Sequence, residues 1–96
     1  MMSWIVSQPY FKIERELNGL EQKIVVQCRT MYLYPDKIVT RFRTFSFDEV
    51  FDISYRHIGD KEGFLYLHTN QGVYPYIIKD NPENFIHSFN VHKNKW

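Results

Sequence analysis

Apolar and polar positions alternate with a period of two along most of this chain, and only its C-terminal segment switches to helical spacing. A period of two sends successive side chains to opposite faces of a strand. The first such stretch, FKIERELNGLEQKIVVQC (residues 11–28), is punctuated by Asn18-Gly19. That dipeptide suits a two-residue hairpin loop, whose central residues need positive φ. Folding about it pairs Leu17 with Leu20, Arg15 with Gln22, Ile13 with Ile24 and Phe11 with Val26, a largely apolar face. Glu14 then falls opposite Lys23 on the other face, an attractive cross-strand pair. A helix opened by Pro9, with Tyr10, Ile13, Leu17 and Leu20 on one side, is the competing reading of residues 10–18. The hairpin accounts for more of the pattern.

In MYLYPDKIVTRFRTF, Pro35-Asp36 reads as a turn, because proline presets φ for its second position. Beyond it Ile38, Thr40 and Phe42 face one way, and Val39, Arg41 and Arg43 the other. Phe45 and Phe47 fall on the arginine side of that count, so a bulge or bend is expected near Thr44. An acidic corner, FDEV, leads to FDISYRHI, where Phe51, Ile53 and Tyr55 alternate with Asp52, Ser54 and Arg56. GDKEG is a loop. FLYLHT and VYPYII follow as strands joined by NQG, and Pro75, which lacks an N–H, implies an edge strand or a bulge. In DNPENFIHSFNVHK, Asp80 or Asn81 can cap a helix that begins with Pro82 and Glu83. Phe85, Ile86 and Phe89 form its apolar stripe, over about residues 82–92. The expectation is a single domain over residues 1–96, mostly β in an α+β arrangement. It has six or seven strands and one C-terminal helix, with residues 1–9 a flexible N-terminal segment.

Composition supports the strand reading. Val, Ile, Thr, Phe, Tyr and Trp number 37 of 96 residues, Leu and Met together 8, and alanine is absent. A domain this short buries only about 60–65% of its unfolded surface, so its 17 rings are needed inside. The phenylalanines of RFRTFSFDEVF accordingly read as core, and the neighbouring arginines as a solvated face.

From about Met31 to Val91 the pattern resembles the bacterial pleckstrin-homology-like (PH-like) domains. The YLYPDKIVTRF hairpin, FSFDEVFDIS, the FLYLHTNQGVYPYII hairpin and the NPENFIHSF helix carry the likeness. It implies a strongly bent antiparallel sheet or open β-barrel with the helix at one end. It also implies an interaction or assembly role, with no shared catalytic set to transfer.

Net charge is +1 and the pI about 7.9, short of the basic excess that marks dedicated nucleic-acid binders. Basic residues that would have to serve a nucleic acid or another anionic ligand are Lys37, Arg41, Arg43, Arg56 and Lys61. The hairpin tips Asn18-Gly19 and Pro35-Asp36-Lys37 supply one cation between them, which argues against phosphoinositide binding. His87 and His92 miss the i, i+4 ligand spacing, Cys28 has no second cysteine, and no serine lies in a nucleophile elbow. No metal, cofactor or catalytic residue is expected. No run approaches the ~20 apolar residues of a membrane span, and MMSWIVSQPY lacks a basic leader, so a cytoplasmic protein is the expectation. Tyr66, Tyr74, Pro75 and Tyr76 remain as candidates for a protein interface, to another protein or a second copy, because tyrosines beside an open strand edge favour pairing.

Overall fold

The computed structural model describes residues 3–19, 21–60 and 62–94. Its strands are β1 (Val6–Asn18), β2 (Glu21–Leu33), β3 (Lys37–Val39), β4 (Thr44–Ser46), β5 (Val50–His57), β6 (Gly63–Thr69) and β7 (Gly72–Ile78), followed by the helix α1 (Glu83–Asn94). All strand pairs are antiparallel, in the order β4-β3-β2-β1-β7-β6-β5. Two meanders, β1–β4 and β5–β7, are thus joined where β1 meets β7. The expected mostly-β domain with a C-terminal helix is what the chain forms, and residues 10–18 are strand. Val6–Pro9, placed by the sequence in a flexible N-terminal segment, are already paired with Leu33–Thr30.

The sheet is open, which corrects the expectation of a β-barrel. The three-residue β4 ends in a turn at residues 47–49, closed by the Glu49 N–H donating to the Ser46 carbonyl, so β4 does not zip onto β5. On the β4 side the two halves meet through side chains: the Phe45 ring of β4 lies 5.1 Å from that of Tyr74 in β7.

The core draws on every strand. Met31, Leu33, Ile38, Phe45, Phe47, Val50, Leu65, Leu67 and Ile78 are buried from the sheet, and Phe85 and Phe89 from the helix. Asn81 caps α1, its Oδ1 accepting the Glu83 N–H at 3.0 Å, with Pro82 buried behind it. Phe89 reaches Phe47 edge-on at 5.1 Å, and Lys93 donates to the Phe47 carbonyl. These contacts hold the helix against β1, β2 and β5.

Two local differences from the sequence reading matter for function. The hairpin register is Asn18↔Glu21, Arg15↔Ile24, Ile13↔Val26 and Phe11↔Cys28, so every partner is displaced by two. Gly19 (φ 66°), rather than Asn18, is the first loop residue; Leu17 faces Gln22, and Leu20, expected opposite it, lies outside the described residues. Glu14 faces Val25, while Glu16 faces Lys23. A shift of two preserves the faces, yet the apolar one points away from the core. Gln8 and Tyr10, on the opposite face, are buried, whereas Ile13, Leu17, Ile24 and Val26 are 52–77% exposed.

The second difference is in RFRTF. The bulge or bend expected near Thr44 is a bend centred on residues 41–42, sharp enough that the chain reverses over residues 40–43. Thr40 Oγ1 donates to the Arg43 carbonyl and accepts the Arg43 N–H, and the Thr40 N–H donates to the Arg43 carbonyl at 2.7 Å. Phe42 rides on the tip, 76% exposed, while Phe45 and Phe47 enter the core. Phe51, also expected inside, is exposed on β5.

Candidate functional site

β1 and β7 pair only at Phe11↔Ile77. Beyond that point the two strands are unpaired with each other: β1 continues with β2 as a two-stranded ribbon, while β7 stays paired with β6. The opening is a cleft of about 840 Å³. Strand alternation gives it two faces. Tyr10, Lys12, Tyr74 and Tyr76 point to the core side, and Phe11, Ile13, Pro75 and Ile77 to the outer side.

The turn at residues 40–43 closes the inner side. Tyr10 and Tyr76 meet edge-on at 5.1 Å, and the Tyr10 hydroxyl accepts the Arg41 N–H at 3.3 Å. The Arg43 guanidinium lies over the Tyr74 ring at 4.4 Å. Opposite, Arg29 covers Phe42 at 4.8 Å and donates to Glu14 (3.4 Å) and Gln27 (2.5 Å). Burial among these rings pushes the Tyr76 hydroxyl above its ordinary value, against the smaller opposing effect of a hydrogen bond with Thr40. Among the described lining residues Lys12, Arg29 and Arg43 are cationic and none is acidic.

Of the candidates read from the sequence, Tyr74, Pro75, Tyr76 and Arg43 come together here. β7 is not a sheet edge, but its flank at Pro75 faces the cleft, where a missing N–H leaves no ladder bond unmade. Tyr66 lies on the outer face of β6, between Phe64 and His68. Arg41 shares the turn with Arg43 and lies over Phe42 at 5.4 Å. Lys37 sits at the other end of β3, over Tyr34, and Arg56 on the edge strand β5. Lys61 lies outside the described residues. The expected cation set therefore does not form one face.

Sequence reasoning missed Arg29 and Tyr10. With the loop at Asn18-Gly19 Tyr10 falls opposite Gln27, whereas the observed register puts it opposite Arg29. It also missed Ser54 and His68, whose Oγ and Nε2 are 2.6 Å apart on the outer face of β5 and β6. Neither residue lines the cleft between β1 and β7, and no carboxylate bond orients the imidazole among the described residues. Among the described residues no group of three or more His, Cys, Asp or Glu side chains is gathered as for a metal, and no helix is long and apolar enough to cross a membrane. No family model and no curated protein sequence matches the chain.

Proposed function

We propose that this chain is a small PH-like interaction module that binds protein, first of all a second copy of itself, and has no chemistry of its own. The observation that carries this reading is the outward face of the β1–β2 ribbon. Ile13, Leu17, Ile24 and Val26 form an exposed apolar stripe there, on the side away from the core. A lone two-stranded ribbon is marginal in water and gains from being covered. A stripe of this kind is self-complementary, so a two-fold axis through it buries apolar area on both copies at once.

The PH-like kinship is supported by seven antiparallel strands followed by one helix, and the bend of the sheet by the reach of Phe45 to Tyr74. A cytoplasmic setting belongs to the same reading, and Cys28 is an exposed free thiol. The rival reading, a nucleic-acid face, has Arg41 and Arg43 on one turn, but Arg56 lies on a distant strand of the sheet order.

The test is the solution mass by sedimentation equilibrium over a concentration series at low and high salt. The expected result is a salt-resistant dimer that Leu17→Asp and Ile24→Asp convert to a folded monomer. A monomer at every concentration that also captures no protein would refute the proposal.

A further inference from the structure

A second surface on the molecule, which shares only Ile13 with the ribbon's apolar stripe, fits a different partner, and this inference rests on the protein-binding reading. We propose that the cleft between β1 and β7 receives an extended segment of another protein in which acidic and apolar residues alternate, added as a strand along the free edge of β1.

Three observations support it. The first is backbone supply. After Phe11↔Ile77, β1 runs on to Asn18 with β2 on one side only, so its other edge offers N–H and C=O groups to the cleft. Such an edge templates an incoming strand. The facing edge of β7 is interrupted by Pro75, which has no N–H to donate, so β1 is the edge that can carry a ladder.

The second is the contrast between the two sides of the cleft. On the inner side stand Lys12, Arg29 and Arg43 with the rings of Tyr74 and Tyr76; on the outer side stand Phe11, Ile13, Phe64, Pro75 and Ile77. A strand laid between them sends alternate side chains to each side. Carboxylates at every second position meet the cations, and aliphatic or aromatic groups at the others meet the apolar wall.

The third is charge left unanswered. Glu14 pairs with Arg29 at 3.4 Å, whereas Lys12 and Arg43 have no carboxylate partner among the described residues. Arg43 instead lies over the Tyr74 ring at 4.4 Å, a contact that leaves its charge unneutralised. A partner segment that brings carboxylates at alternate positions answers this charge.

The experiment uses the full chain, isotope-labelled, titrated with an end-blocked decapeptide alternating glutamate and valine. Controls are a decapeptide alternating lysine and valine, and one with the glutamates and valines in separate blocks. The expected result is binding of the alternating acidic peptide alone, with amide shifts and slowed hydrogen exchange at residues 12–17 of β1. Lys12→Glu and Arg43→Glu should each weaken it about tenfold, with far-UV circular dichroism unchanged. Lys12 lies on the exposed ribbon, so its variant remains informative if Arg43→Glu disturbs the turn. Absence of binding at millimolar peptide, equal binding of the block peptide, or protection confined to β4 or β5 would overturn the assignment. Dimerisation through the ribbon with no peptide binding would remove the cleft proposal and leave the module reading standing; failure of both would remove both.

Discussion

Phe42 and Phe45 stand three residues apart in RFRTF and have opposite fates, so replacing each by alanine tests the turn between them. Phe45 is 2% exposed and packs against Tyr74, whereas Phe42 is 76% exposed on the turn. Removing a buried phenylalanine costs about 3–5 kcal/mol through lost transfer energy and the cavity left behind. Phe42 buries little; what it loses is the cover of Arg29 at 4.8 Å and Arg41 at 5.4 Å. Exposed cation–π contacts contribute about 0.5–1 kcal/mol each, and the two share one ring, so a loss near 1 kcal/mol is the upper expectation. The predicted gap is thus at least about 2 kcal/mol. Urea unfolding followed by tyrosine and tryptophan fluorescence reads it directly. With a slope of roughly 1–3 kcal/mol per molar urea, Phe45→Ala should lower the midpoint by more than about 1 M and Phe42→Ala by well under that. Because a domain of this size has only about 5–14 kcal/mol in total, Phe45→Ala should remain foldable but fragile. Equal losses for the two variants would place Phe42 inside and refute the reversal at residues 40–43.

Two further outcomes follow from the structure. The hydroxyl of Tyr76 is held above its ordinary value of 10.0 mainly by burial, so the folded state keeps that proton after the unfolded chain has released it. Its contribution is therefore fully present below about pH 10 and is lost as pH rises through the folded value; stability measured from about pH 9 to about pH 11 should fall less steeply in Tyr76→Phe than in the parent. Coincident slopes would contradict the assignment. At Gly63, an added Cβ would lie 2.4 Å from the Arg56 carbonyl and 2.6 Å from the Tyr55 ring, so Gly63→Ala should cost about 1–3 kcal/mol in the same urea assay. An unchanged midpoint would show that Tyr55 does not pack over the strand there.

The helix and the last hairpin were legible because their signals are local. Asn81, Pro82 and Glu83 announce a helix start whatever surrounds them, and Asn70-Gln71-Gly72 closes a hairpin between its own neighbours. The first hairpin was legible in kind but not in register, since glycine can take the positive φ at either loop position and only tertiary contacts choose. Which face is buried was not legible for the same reason. The pattern marks Ile13 and Ile24 as apolar, but Tyr10 and Met31 at the base decide which side meets the core. The cleft could not be read at all. It arises between strands distant in sequence, and its arginine at position 29 arrives through a register that the chain pattern leaves open.

The single pair Phe11↔Ile77 also bears on how the molecule folds. Every other strand contact joins neighbours in sequence, so each meander can assemble from short loops, which close quickly and at small entropic cost. The bond between Phe11 and Ile77 has to draw together opposite ends of the chain, a cost offset by the packing of α1 on β1, β2 and β5 and by the ring contacts Tyr10–Tyr76 and Phe45–Tyr74. It should be the last backbone pairing to form and the first to break. In hydrogen exchange the two halves should then open at this seam well below the energy of global unfolding, as separate cooperative units.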